Sequence, residues 1–210
     1  SNSGGTLTID PNAVGATNSG TGVMRSTAGS TLTFTSGALT NTGLVEALGV
    51  VNVTSATVTN TGGTITNNAG ALNISGTTIT GGAVSIVGAG TMLLSNSTIE
   101  GGTLSNSATG VITTSGSSAI ISILTNSAGG QIIIPSGAGG SGLTLGAGTH
   151  TNDGSITING LGNGESLYIS GSVTFNGGGT VTLSGTSTGT RGVGGVDQLT
   201  IGAGQTVQGR

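Results

Sequence analysis

A repeat of twenty residues in the middle of the chain decides the fold. Its successive copies read TVTNTGGTITNNAGALNISG (57–76), TTITGGAVSIVGAGTMLLSN (77–96), STIEGGTLSNSATGVITTSG (97–116) and SSAIISILTNSAGGQIIIPSG, starting at residue 117. Glycine returns at one position of every copy, namely Gly70, Gly90, Gly110 and Gly130. A period of this size is typical of solenoid proteins, in which each repeat forms one coil.

Each copy contains three short runs in which apolar residues recur with a period of two. The inward positions are Val58, Ile79 and Ile99 in the first run, Ile65, Val84 and Leu104 in the second, and Leu72, Met92, Ile112 and Ile132 in the third. Residues two apart on a strand share a face, whereas glycine and β-branched residues disfavour a helix. We therefore predict an all-β fold, a parallel β-helix (β-solenoid) with three short strands and about twenty residues per coil, about ten coils long.

The pattern predicts one solenoid segment over residues 1–210, most regular over 57–136 and looser over 1–56 and 137–210. The glycine-rich stretches 137–142 and 185–195 are interpreted as loops inserted between coils. Turn glycines are expected to adopt positive φ. Without a signal peptide or a charged terminal strand, the segment is expected to continue into a longer chain or to stack end to end with other copies.

Composition excludes several classes of protein. The 210 residues include 45 glycines and no cysteine, only 4% are charged, and the net charge is −3. Disulfides and thiolate metal sites are therefore impossible, and a chain without lysine is a poor binder of nucleic-acid phosphates. No apolar run is long enough for a transmembrane helix, so no membrane insertion is expected. The Ser/Thr/Asn-rich, cysteine-free composition suits a secreted bacterial surface protein.

Several segments resemble the strand repeats of large bacterial surface exoproteins. They are the Thr-Asn-x-Gly turns at 17–20, 40–43, 59–62 and 151–154, GGTLSNSATG, HTNDGSITI and the closing LTIGAGQTVQG. In these motifs the chain is similar to the β-solenoids of filamentous haemagglutinins and autotransporter adhesins. The resemblance implies secretion across an outer membrane and a fibrous, extracellular structural or adhesive role. It implies no catalytic residues.

The residues that could carry chemistry are few and scattered. His150 is the only histidine, and Asp153 follows it in a turn where aspartate usually bonds its own backbone, so we expect His150 to line a turn. Glu100 aligns with Thr80 and Thr59, which predicts an outward, solvated position. The other acids, also expected on the surface, are Asp10, Glu46, Glu165 and Asp197. We predict no enzyme, no catalytic residue, no cofactor and no metal site.

Two surface features favour binding instead of catalysis. Threonine pairs with the pattern Thr-x-Thr could form a face for glycan or ice, and they occur at 6/8, 31/33, 57/59, 64/66, 78/80 and 180/182. Leu93 and Ile133 fall on outward positions of the third strand and mark a possible lateral contact, either with a loop of this chain or with a neighbouring fibre. Three sequons, at Asn52, Asn73 and Asn96, could accept glycans.

Overall fold

The structure, a computed structural model, describes residues 4–137, 140–161, 164–186 and 188–209. These residues form strands and turns and no helix. All strand pairs are parallel, and the chain winds into a β-solenoid of about 9 turns with roughly 21 residues each. The predicted fold class is confirmed.

One strand of every coil belongs to a single 10-stranded sheet, called sheet 1 here. Neighbouring strands are consecutive coils in strict register, so that Leu72 pairs with Met92 and Met92 with Ile112. In order along the sheet, the strands are β1 (Thr6–Ile9), β4 (Thr31–Thr35), β7 (Val50–Thr54), β10 (Ala71–Ser75), β13 (Thr91–Ser95), β15 (Val111–Ser115), β17 (Gln131–Ile134), β20 (Ser155–Leu161), β23 (Thr180–Thr186) and β26 (Thr206–Gly209).

The other two strands of each coil belong to a 16-stranded sheet, called sheet 2, which has two halves. The first half contains β2 (Ala16–Asn18), β5 (Ala38–Asn41), β8 (Thr57–Thr59), β11 (Thr78–Thr80), β18 (Gly142–Leu145), β21 (Ser166–Ile169) and β24 (Gly189–Gly192). The second half contains β3 (Val23–Ser26), β6 (Leu44–Ala47), β9 (Thr64–Asn68), β12 (Ala83–Val87), β19 (Gly148–Asn152), β22 (Ser172–Asn176) and β25 (Gln198–Ile201). Two long strands, β14 (Thr98–Asn106) and β16 (Ser117–Asn126), run through both halves.

The core is a narrow stack of aliphatic side chains enclosed by the two sheets. Every inward residue predicted for the three runs is buried, and equivalent residues of successive coils lie in register. Thr114 is a polar residue within this aliphatic stack. It is fully buried between Leu94 and Ile134, and its hydroxyl has no hydrogen-bond partner. Apolar burial along the whole stack, together with the sheet hydrogen bonds, holds each coil to the next.

The number of residues per coil increases towards the C-terminal end. Ala71 pairs with Thr91 twenty residues later, whereas Thr180 pairs with Thr206 twenty-six residues later. The interpretation of residues 185–195 as a loop is wrong in part, because residues 189–192 form β24 and pair with β21. Residues 138, 139 and 187 of the two glycine-rich stretches lie outside the described residues.

Buried asparagines form hydrogen-bonded ladders at two corners of the coil. Between the halves of sheet 2, Asn18 donates to Asn41 and Asn41 to Asn60, each over 2.7 Å. Between sheet 2 and sheet 1, a second ladder joins the fully buried residues Asn106, Asn126 and Asn152 over 2.8 Å per step. Corner backbone groups cannot all reach the sheet ladders, so these amides satisfy them.

Crowding at the corner between sheet 2 and sheet 1 explains the glycine column at 70, 90, 110 and 130. A Cβ on Gly110 would lie 2.2 Å from Asn106 Oδ1, and one on Gly70 would lie 2.3 Å from the carbonyl oxygen of Gly49. None of the four glycines has a positive φ, so that expectation is wrong here; a Cβ at these positions would instead collide with a buried asparagine or with the backbone of the adjacent coil. Positive φ does occur at corner glycines such as Gly62 and Gly81.

Candidate functional site

His150 lies in the core and not in a turn, which corrects the sequence-based expectation. It is in β19 and fully buried, with its ring centroid 6.1 Å from that of Phe175. Its Nδ1 accepts a hydrogen bond from the Leu124 amide at 3.1 Å, and its Nε2 donates to the Gly146 carbonyl at 2.9 Å. Desolvation lowers the pKa of His150. A neutral ring with both nitrogens bound to backbone is a structural element and not a general base.

Asp153 is not a hydrogen-bond partner of His150. Its Oδ1 accepts a hydrogen bond from the Gly178 amide of the next coil at 2.8 Å, instead of bonding its own turn as expected. Asp197 similarly accepts from the amides of Gly194 and Gly171, and these bonds lower the pKa of its carboxyl. Both aspartates therefore hold loops to neighbouring coils.

The glutamates occupy three different environments. Glu100 points outward in register with Thr80, whose hydroxyl donates to Glu100 Oε1 at 3.0 Å, as the alignment predicted. Glu46 is nearly buried and forms an ion pair with Arg25 of the preceding coil at 2.5 Å. Glu165 is fully buried: its Oε1 accepts from the Gly137 amide at 3.2 Å, and its Oε2 has no partner. The expectation of surface carboxylates is therefore wrong for Glu46 and Glu165.

The described residues do not bring three or more histidine, aspartate or glutamate side chains close enough to hold a metal ion. One surface groove among the described residues, about 380 Å³, lies at the corner of the first coils and is lined by Gly22, Val23, Thr42, Leu44 and Thr64, among others. Another, about 210 Å³, lies beside Arg191 and Asp197. Neither contains a carboxylate pair or a histidine, so neither has the groups of an acid–base site.

The threonine pairs do not form a single array. Pairs 57/59 and 78/80 are neighbours on the first half of sheet 2, pair 64/66 lies on its second half, and the remaining pairs lie on sheet 1. The longest column in register is Thr17, Thr40, Thr59 and Thr80. Glu100 and then Ile121 continue this column, which limits the flat threonine face to about four coils.

The outer face of sheet 1 is the longest uniform surface of the described chain. Its ten strands carry no charged residue, whereas the halves of sheet 2 carry Glu100 and Arg191, and Arg25 and Glu46. Leu93 and Ile133 both lie on this face, separated by Thr113 in register. Leu93 is 37% exposed and Ile133 is half-buried. Leu93 is thus accessible to a neighbouring molecule, and the lateral contact stays a prediction.

Two features of this face were missed from the sequence. Val111 lies beside Thr113 at the centre of the face, and it was not singled out because one β-branched residue among many carries no distinguishing signal. The sequon asparagines Asn52 and Asn73 are neighbours on this face, and Asn73 donates to Asn52 over 2.9 Å. The third sequon asparagine, Asn96, lies in a corner turn and accepts from the Ser117 amide.

Comparison of the chain with protein-family models, with curated proteins and with solved structures finds no match. Within the part of the chain that is described, no helix is long and apolar enough to cross a membrane. The fold alone defines the class of protein, which is a parallel β-solenoid.

Proposed function

We propose that this chain is a structural or adhesive rod, secreted to the surface of a bacterium, and that it is not an enzyme. The observation that carries the proposal is the unbroken stacking of ten sheet 1 strands in register. Neighbouring strands lie about 4.8 Å apart, so the stack is a rod roughly 43 Å long. A solenoid of this kind resists bending because every coil is bonded to the next along three strands.

The arrangement of polar side chains supports the same role. The buried amides, His150 and the two aspartates each form a hydrogen bond that joins one coil to the next. The chain also lacks cysteine, so it needs no redox partner to fold outside a cell. These features favour a structural role over an enzymatic one.

Antibody labelling tests the location directly. An antibody raised against the purified chain is applied to intact and to permeabilised cells of the organism that makes it, with an antibody to a cytosolic protein as the control. We expect labelling of intact cells by the first antibody alone. Labelling only after permeabilisation would overturn the proposed surface role.

A binding module is the second candidate, and the threonine column of sheet 2 favours it. Thr40 and Thr59 present exposed hydroxyls in register, with Thr80 half-buried beside them. Binding is tested with a glycan array and with an ice-recrystallisation assay on the wild type and on Thr59→Lys. A signal that Thr59→Lys removes, while Thr157→Lys on sheet 1 retains it, supports this candidate. The absence of any signal in both assays excludes it.

A further inference from the structure

We propose that the outer face of sheet 1 is a homodimer interface, on which a second copy of this chain packs face to face. The inference rests on the proposed structural function and names the partner of the rod. Dimerisation is measured on purified chains and surface location on cells. Either result can therefore be negative while the other is positive.

The centre of the face is apolar. Leu93, Thr113 and Ile133 lie in one register column across three consecutive strands, β13, β15 and β17. Val111 lies on the same face two residues before Thr113. These strands are the fifth, sixth and seventh of ten, so the apolar cluster occupies the middle of the sheet. Interfaces gain most of their binding free energy from a central apolar cluster of this kind.

Polar side chains flank the apolar cluster on both sides. Toward one end, the outward positions of β10 and β7 carry Asn73 and Asn52, and toward the other end β20 and β23 carry Thr157 and Thr182. These side chains are short, uncharged and able to donate and accept hydrogen bonds. A polar rim around an apolar centre is the usual anatomy of a protein interface.

The absence of charge on this face also favours a second copy as its partner. No charged residue lies on the ten strands of sheet 1, so two copies can meet there without burying an unpaired charge. The face also has no charge with which to select a partner of opposite sign. Rows of short side chains on parallel strands in register pack well against the same rows of another copy, as paired sheets do in steric zippers.

The available area matches that of a stable dimer. Nine spacings of about 4.8 Å and a strand width of about 16 Å give roughly 700 Å² per copy, or about 1,400 Å² for the pair. Specific interfaces bury about 1,200–2,000 Å² in total. A two-fold axis through the centre of the cluster brings Thr113 of each copy next to Thr113 of the other, which makes the interface self-complementary.

Sedimentation equilibrium of the purified chain tests the interface, with Leu93→Lys as the disruptive variant. The matched control is Ile121→Lys, which makes the same kind of change at an exposed strand position (40%) on the outer face of sheet 2. We expect a wild-type dimer with a dissociation constant in the micromolar range, weakened at least about tenfold by Leu93→Lys and unchanged by Ile121→Lys. Circular dichroism shows whether each variant keeps the native strand content.

Cross-linking provides a test that does not depend on a tolerated lysine. Because the chain has no cysteine, Thr113→Cys and Ile121→Cys each introduce a single thiol. A short bismaleimide should link Thr113→Cys chains into dimers and leave Ile121→Cys chains monomeric. A wild-type chain that stays monomeric at about 0.5 mM would overturn the proposal. So would equal cross-linking of the two variants, or a loss of association caused by Ile121→Lys alone.

Discussion

Replacing Asn126 by aspartate tests whether the buried amide ladder holds the coils together. Asn126 is fully buried; its Nδ2 donates to Asn152 Oδ1 at 2.8 Å, and its Oδ1 accepts from Asn106 Nδ2 at 2.8 Å. Aspartate has nearly the same shape and can still accept from Asn106. Its second oxygen, however, would face Asn152 Oδ1, so two acceptors would meet where a hydrogen bond now forms.

The expected loss of stability follows from these contacts. Losing a buried hydrogen bond and leaving its acceptor unpaired costs about 1–3 kcal/mol, and burying an uncompensated carboxylate raises the total to about 3–5 kcal/mol at pH 7. Burial should raise the folded-state pKa of the introduced carboxyl above its unfolded value of about 3.9. The penalty should therefore be smallest below about pH 3.9 and grow as the pH rises through the folded-state pKa.

Urea unfolding of the wild type and Asn126→Asp at a series of pH values measures this penalty. The control is Asn176→Asp, the same change at an exposed position of β22, which should alter stability by less than about 0.5 kcal/mol. The difference between Asn126→Asp and the wild type should shrink on acidification. If Asn126→Asp loses no more stability than Asn176→Asp, or if its loss of stability does not change with pH, the ladder does not stabilise the stacking of the coils.

Three further predictions concern the core and the corners. Thr114→Val should stabilise the fold by about 1–2 kcal/mol, measured by urea unfolding, because it removes a buried hydroxyl without a partner at nearly constant shape. Gly70→Ala should cost about 2–3 kcal/mol because its Cβ would strike two backbone carbonyls of the adjacent coil, whereas Gly178→Ala, with no atom within 4 Å, should be tolerated. The free energy of unfolding should fall as the pH drops below about 6.5, by at most about 1.4 kcal/mol per pH unit. The reason is that the pKa of His150 is lowered in the folded state, so the unfolded chain takes up the proton first. His150→Gln should remove this dependence of stability on pH.

Each of these predictions has an outcome that contradicts it. A destabilised Thr114→Val would mean that its hydroxyl has a partner, such as a buried water. Equal effects of Gly70→Ala and Gly178→Ala would mean that the corner relaxes readily around a methyl group. An unchanged pH slope in His150→Gln would assign the titration between pH 5 and 7 to another group.

The periodic core could be predicted from sequence because it is a local property. Alternation at Leu72 and Ile74 follows from the geometry of a single strand, and its recurrence at Met92 and Leu94 follows from the stacking of equal coils. The outward position of Glu100 followed from the same alignment. Regular spacing in the sequence thus translates directly into register between strands.

Predictions based on residue type alone were less successful. His150 was expected to line a turn because Asp153 follows it in one, and Glu165 was expected on the surface because glutamate is rarely buried. Both are buried, and a backbone amide of another coil donates one hydrogen bond to each: Leu124 to His150 and Gly137 to Glu165. Those partners are 26 and 28 residues away, in a part of the chain where the repeat length varies, so spacing could not identify them.

The sequence by itself determined that this chain is a parallel solenoid, since the period of two builds strands and the period of about twenty stacks them. Only the tertiary structure decided which surface is charged and which is not, because that depends on how three strands per coil distribute their outward side chains among separate faces. It also decided that Asn106 and Asn126 form a buried ladder. Contacts of this kind join residues one coil apart, and their geometry is fixed only when the coils are in register.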